Sequence, residues 1–310
     1  MPETFKLDVK DKKLLLELEK DARVSMSEIG RKIGVSKEVA NYRLKRLIDK
    51  GVIKRFYLLT DDFALNYKVY RLTINLHNLK ENTRGNIVRD LRKLSNIEVN
   101  IFLESKTDIE ILLHVKHTSE FYEFYQEFLE KYGEFIFGKD LEVVTKRYFL
   151  NNRYLLGNIK ERILGNSKNI LKIDKKEEKI LESLKENPRE SVLEIAKKQN
   201  MAPSTVIYHI KNLKKNKIII GYRIALNLGL LGYNKCKIGI LLSDLSKKQQ
   251  VINYLLSKDE VTNMNEFIGE MDLDFEVVFK TLTDLDKLLE NLRIHSPYIK
   301  DYDITNLIED

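Results

Sequence analysis

Cysteine is nearly missing from this chain. Cys236 is the single one among 310 residues, which excludes an intrachain disulfide and any site built on several cysteines. No apolar run approaches the roughly 18 residues that span a bilayer. The opening MPETFKLDVKDKK lacks the apolar core of a secretory signal. The five histidines, His77, His114, His117, His209 and His295, show no three-ligand metal spacing. His114 and His117 lie on or just after one strand, at a spacing that does not share a face. No glycine-rich phosphate loop and no Ser/His/Asp spacing stands out. These absences predict a soluble, cytoplasmic protein with no membrane contact, no metal, no cofactor and no catalytic residues.

What is present suits a folded chain with a polyanionic partner. Hydrophobic residues make up 43% and charged residues 33%, with a net charge of +7, so a buried core is expected. Sliding the sequence by 166 residues reveals a duplication. Asp8 falls on Asp174, Leu15 on Leu181, Leu18 on Leu184, Arg23 on Arg189, and Ser25 on Ser191. Tyr42 falls on Tyr208, Lys45 on Lys211, Leu47 on Leu213, and Ile53 on Ile219. The period is far too long for a solenoid, so each copy is a multi-element unit.

The first part of each copy reads as three helices and a strand. Asp8 opens helix one, and Asp174-Lys-Lys-Glu177 is a capping box before its counterpart. Ser25-Met-Ser-Glu28 and Ser191-Val-Leu-Glu194 are the same signal for helix two. Gly34, or Asn200, supplies a turn. Helix three follows Ser36, or Ala202 with Pro203 at its first position. Its predicted buried face is Val39, Ala40, Leu44 and Leu47. The strands VIKRFYLL and IIIGYRIAL come next. This order is that of a winged helix-turn-helix, whose second helix fits a DNA major groove. Residues 1–60 hold 15 Lys and Arg against 9 Asp and Glu, and residues 168–223 hold 14 against 7. The remainder of the chain is net negative, so positive charge is concentrated where phosphate binding requires it.

The second part of each copy reads βαββαβ, a ferredoxin-like order with helices on one sheet face. Copy one runs from the strand YKVYRLTINL, through a helix near Glu81–Leu94 and strands in NIEVNIFLES and DIEILLHVKH, to the helix TSEFYEFYQEFLEKYG and a strand near Leu141–Leu150. The stripe Phe121, Tyr122, Phe124, Tyr125 and Phe128 reads as helix-on-sheet core. The fold class is therefore α+β. The predicted domains are 1–60 and 172–226 (winged helices), 61–150 and 227–310 (ferredoxin-like), with a linker at 151–171.

This order, and the segments LDVKDKKLLLELEKDARVSMSEIGRKIGVSKEVANYRLKRLIDKGVI and KIDKKEEKILESLKENPRESVLEIAKKQNMAPSTVIYHIKNLKKNKII, resemble the Lrp/AsnC family of transcription regulators, here as two fused copies. The family is typical of prokaryotes, archaea included. The resemblance implies double-stranded DNA as partner, a dimerising and ligand-sensing ferredoxin-like part, and a small-molecule effector such as an amino acid. It also implies a homo-oligomer or an intrachain pseudo-dimer. The family's Gly-x-x-Asp turn would place effector contacts at Gly269 and Asp272. Copy one has Ser105-Lys-Thr-Asp108 there, with Ser105 and Asp108 at the matching ends and no glycine.

The predicted DNA-facing set in copy one is Ser36, Lys37, Glu38, Asn41, Tyr42, Arg43, Lys45 and Arg46, with Lys54 and Arg55 on the wing. In copy two it is Ser204, Thr205, Ile207, Tyr208, His209, Lys211, Asn212, Lys214 and Lys215. Lys45, Arg46, Lys211, Lys214 and Lys215 are expected to position phosphates. Glu38, Asn41, Tyr42, Ser204, Thr205 and Tyr208 are expected to meet bases. Arg43 and Arg46 become His209 and Asn212 in copy two, so the halves should read DNA unequally, on an imperfect palindrome. Two alternatives remain in the sequence. One is a non-specific architectural DNA binder. The other is a sirohaem-decarboxylase-like enzyme, a group that resembles this family. Its V-[ST]-H-N-Y stretch is replaced here by IEVNIFLES and VTNMNEFIG, without histidine.

Overall fold

The computed structural model describes residues 4–78, 82–103, 107–150, 152–157, 161–165 and 170–307. Copy one opens with α1 (Val9–Lys20), α2 (Met26–Ile33), α3 (Lys37–Asp49) and β1 (Ile53–Thr60). It continues with β2 (Lys68–Leu76), α4 (Thr83–Leu91), β3 (Ile97–Leu103), β4 (Ile109–Val115), α5 (Thr118–Tyr132) and β5 (Ile136–Phe149). Between the copies lie α6 (Arg153–Leu156) and β6 (Arg162–Leu164). Copy two repeats the order as α7 (Lys175–Glu186), α8 (Val192–Lys198), α9 (Pro203–Lys215) and β7 (Ile219–Leu226). Then come β8 (Asn234–Leu242), α10 (Lys248–Leu256), β9 (Val261–Ile268), β10 (Leu273–Phe279), α11 (Leu282–His295) and β11 (Ile299–Leu307). Among the described residues, no helix is long and apolar enough to cross a membrane.

Local chemistry explains the helix ends. Asp8 and Asp174 close reciprocal boxes with Asp11 and Glu177, and Ser191 does so with Glu194. The box expected at Ser25 is half made: Ser25 accepts from the Glu28 N–H, while the Glu28 carboxylate pairs with Lys32 at 3.0 Å. Gly34 ends α2 at φ +70°, and Asn200 takes φ +51° at the equivalent turn. These are left-handed conformations that both residue types tolerate.

The predicted domains do not stand apart as four bodies. The chain forms two compact units, each pooling like parts of both copies. The first comprises the described parts of residues 1–65, 151–162 and 169–233. A single apolar core there takes Leu14, Leu18, Ile29 and Leu47 from copy one, and Ile180, Leu184, Ile195 and Leu213 from copy two. The expected linker contributes as well, since Leu155 and Leu156 pack on that core. β1 pairs antiparallel with β7, so these strands form a ribbon between the copies. Contacts around it obey the 166-residue period. The Asp61 N–H donates to the Ile218 carbonyl and the Asn227 N–H to the Val52 carbonyl, both at 2.9 Å. Arg23 donates to the Pro188 carbonyl at 2.7 Å, and Arg189 to the Ala22 carbonyl at 2.6 Å. The same guanidiniums cover the rings of Tyr222 and Phe56. Such reciprocity is the mark of an isologous, two-fold interface, here written twice into one chain.

The second unit comprises the described parts of residues 66–150, 163–168 and 234–310. Each ferredoxin-like sheet has the order expected of βαββαβ: β5-β2-β4-β3 and β11-β8-β10-β9. The edges of one pair with the edges of the other, β5 with β9 and β3 with β11, so eight strands close into a ring. Closure removes the unpaired edges. β5 begins at Ile136 rather than at the expected Leu141 because its first half pairs with β2 of its own copy. The strand runs along β2 from Ile136 to Val144 and then along β9 to Phe149. Alternation sorts the side chains. Leu72, Ile74, Ile109 and Ile111 join the helix-covered core with Phe128, while Tyr122 of the aromatic stripe stays exposed. Cys236 is buried in the matching core of copy two, and burial pushes its thiol up to about 12.

A buried ion pair in the first unit breaks the two-fold rule. Glu19 and Arg223 pair at 2.5 Å, both almost fully buried, whereas their repeat positions hold Lys185 and Tyr57. Burial raises the Glu19 carboxyl above its usual range despite Arg223 and Asn152 beside it. Removing one member strands a charge. Arg223→Met should cost about 3–5 kcal/mol in urea unfolding, and adding Glu19→Leu should restore most of the loss.

Candidate nucleic-acid interface

Each second helix of a helix-turn-helix is held by its apolar stripe, and this decides what it shows outward. In α3, Ala40, Leu44 and Leu47 are buried as expected, but Val39 is 42% exposed. The outward set is Lys37, Glu38, Asn41, Tyr42 and Lys45. In α9 it is Ser204, Ile207, Tyr208, Lys211, Lys214 and Lys215, with Thr205 half-buried. Tyr42 and Tyr208 expose 67% and 66%, so neither ring packs into the turn. Lys214 leans back across the copies, 3.9 Å from Asp21 and over the Tyr222 ring. Lys54 and Arg55 are exposed, but on the inter-copy ribbon rather than on a hairpin wing.

Five residues of the predicted set have structural work instead. Ser36 caps α3 through the Val39 N–H. Arg43 bonds Asp8 and Asp11 at 2.7 Å each, and Arg46 bonds Asp11 at 2.5 Å. These carboxylates belong to the α1 capping box, so both guanidiniums staple α3 to α1. In copy two, His209 is only 8% exposed, and Asn212 donates to Glu177 Oε1 at 2.8 Å. Helix periodicity alone places positions 43 and 46 at the edge of the buried stripe. The acidic cap of the first helix draws them inward, and that pairing is not visible in either helix alone.

The same trio of positions has a second property in copy two. Asp174, Glu177 and His209 bring one ligand atom each within 4.8 Å of one another, the one such group among the described residues. His209 Nδ1 faces Glu177 Oε1 at 3.6 Å and has no hydrogen-bond partner. Sequence spacing missed this group because its members lie on two helices.

The expected effector turns also prove occupied. Asp108 accepts the Leu76 N–H and Asp272 accepts the Leu242 N–H, both at 2.8 Å. Each carboxylate thus braces its hairpin against the first strand of its sheet, and Asp108 pairs with Arg84 besides. Gly269 is required by close approach, since a Cβ there would stand 2.4 Å from Glu142 Cγ. Ser105 lies outside the described residues.

Behind these turns, the inward faces of the ring carry buried charge. Arg71 pairs with Glu142, and with Asp274 at 2.7 Å, and covers the Phe267 ring. Its repeat partner Lys237 reaches Glu110 at 2.6 Å and Asp274 at 3.4 Å. Asn100 and Asn265 donate to Glu110 and Asp274. A cavity of about 170 Å³ opens on this network, with Asp140, Asp303 and Glu270 among its lining.

Comparison with known proteins agrees with this geometry. The family model described as winged helix-turn-helix DNA-binding matches residues 7–54 and 173–220. An uncharacterized HTH-type transcriptional regulator of Pyrococcus furiosus is 32% identical over 123 residues, 39% of this chain and 82% of that protein. The regulatory protein AsnC of Haemophilus influenzae is 30% identical over 118 residues, 38% of this chain and 79% of that protein. The crystal structure of the siroheme decarboxylase NirDL shares the fold, at a TM-score of 0.65 and 13% identity, over 97% of this chain and 91% of that one. The winged helices and the ferredoxin-like sheets define a transcription regulator of the helix-turn-helix class. The chain belongs to the Lrp/AsnC family, as a tandem member with both copies in one polypeptide.

The buried charges make stability depend on acid. Burial would raise the Glu276 carboxyl, but Lys235 and Lys237 bring it from 4.5 down to about 2. A depressed carboxyl stabilises fully above its unfolded value and loses that contribution as pH falls through the folded one. The stability gap between the wild type and Glu276→Gln should therefore be widest above pH 4.5 and close towards pH 2. Urea midpoints across that range check it.

Proposed function

We propose that one chain is a complete DNA-reading pair whose two helices recognise different half-sites. The observation that carries this is the comparison of α3 with α9. The outward faces share Tyr42 with Tyr208 and Lys45 with Lys211, but differ at Glu38 against Ser204 and at Asn41 against Ile207. Shared lysines suit phosphate, which is the same in every sequence. Asn41 can bond adenine bidentately, whereas Ile207 offers only an apolar contact, as to a thymine methyl. The preferred site is then an imperfect palindrome, with half-sites one helical turn or a multiple apart.

Selection from a random duplex pool at near-physiological salt tests the reading. The wild type should enrich an imperfect two-fold motif. Glu38→Ser/Asn41→Ile, both exposed, should make the motif more symmetric. Binding without enrichment would favour an architectural binder. Lys45→Ala and Lys211→Ala should each lower the salt slope by about one. Arg46→Ala should instead lower the thermal midpoint, because its charge is held by Asp11.

We further propose that the chain is not an enzyme and that Asp108, Gly269 and Asp272 hold hairpins rather than an effector. The likeness to NirDL is one of fold. The cavity inside the ring presents Glu110, Asp140, Glu142, Asp274, Asp303 and Glu270 against two cations, Arg71 and Lys237. A tetrapyrrole bearing several carboxylates would be repelled there. Added sirohaem should leave its Soret band unshifted, and a shifted band would revive the enzyme reading.

A further inference from the structure

We infer that the second helical half holds a divalent transition-metal ion between the N-terminus of α7 and the middle of α9, on His209, Glu177 and Asp174. The repeat supplies the argument. In copy one, two carboxylates, Asp8 and Asp11, are matched by two guanidiniums, Arg43 and Arg46. In copy two, the same four positions hold Asp174, Glu177, His209 and Asn212. The carboxylates are kept while both guanidiniums are gone. An imidazole and an amide replace them, so the two carboxylates lack the pair of fixed positive charges that balances them in copy one. One dication restores that balance.

The geometry suits such an ion. Each carboxylate gives one oxygen to the capping box: Asp174 Oδ1 accepts the Lys176 and Glu177 N–H groups at 2.8 Å, and Glu177 Oε2 accepts the Asp174 N–H at 3.2 Å. That fixes both carboxylates in place. Asn212 holds Glu177 Oε1 at 2.8 Å and aims it at the imidazole. His209 is about nine-tenths buried, and its Nδ1 is left without a hydrogen-bond partner while facing Glu177. A buried ring nitrogen in that condition is costly unless something binds it. Donors on one metal at about 2.0–2.2 Å lie on the order of 3–4 Å apart, close to the spacing already present. One imidazole nitrogen with two carboxylate oxygens suits Zn²⁺, Co²⁺ or Ni²⁺ better than Mg²⁺ or Ca²⁺. Asp174 is exposed, which gives an entry path and leaves the remaining positions to water. The ion would tie α7 to α9, as the two arginines tie α1 to α3. The inference stands whether or not α9 reads DNA.

The full chain, stripped with a chelator, is titrated with Zn²⁺ by calorimetry and with Co²⁺ by visible absorption. One equivalent of each should bind per chain, and Zn²⁺ should raise the thermal midpoint. His209→Arg/Asn212→Arg reinstates the copy-one pairing, so it should fold, bind at least about tenfold more weakly and lose the Zn²⁺ shift. Glu177→Gln should also weaken binding. Absence of binding by the wild type, or equal binding by the wild type and the double arginine variant, would overturn the assignment.

Discussion

A β-strand with a free edge must find a partner or leave its N–H and C=O groups to water or to another chain. In this protein each copy supplies the partners of the other. β1 has β7, β5 has β9, and β3 has β11. Everything else follows from those pairings. They draw the helical halves into one unit with a shared core, and close the sheets of the other unit into a ring. The pairings that a dimer makes between chains are here made within one.

Fusion changes what the two halves may become. In a dimer of identical chains, every substitution appears twice. In a fused pair, Glu19 can meet Arg223 without any counterpart, and the two reading helices can differ at Asn41 and Ile207. The reciprocal contacts of Arg23 and Arg189 remain two-fold because they hold the interface. The staples below the reading helices do not remain so. Two arginines hold α3 to α1, whereas His209 and Asn212 stand at the same place below α9. Divergence reaches the seam itself at the buried Glu19–Arg223 pair, while the backbone pairing of β1 with β7 and the two arginine contacts keep the two-fold frame.

Most of the architecture was legible in the sequence because it rests on local signals. Asp8, Ser25, Ser36, Asp174 and Ser191 mark helix starts, Gly34 and Asn200 mark turns, and the alternating run YKVYRLTINL marks β2. The 166-residue offset then makes each copy a check on the other. What could not be read were contacts between elements. Arg43 and Arg46 look like DNA ligands on a helix drawn alone, and become staples once α1 presents its acidic cap. His209 looks like an outward residue for the same reason. The start of β5 at Ile136, the ribbon of β1 with β7, and the charged interior around Arg71 and Lys237 all depend on how strands from distant parts of the chain meet. Val39 and Tyr122 show the usual slip of periodicity at the rim of an apolar stripe.

The central claim is that the two copies pair within one polypeptide. Cysteines placed at Arg55 and Ala225, which face each other across β1 and β7, test it most directly. Oxidised at low protein concentration, Arg55→Cys/Ala225→Cys should give a cross-linked monomer that migrates anomalously on a non-reducing gel. A covalent dimer as the main product would mean that the ribbon forms between chains, and would contradict the account.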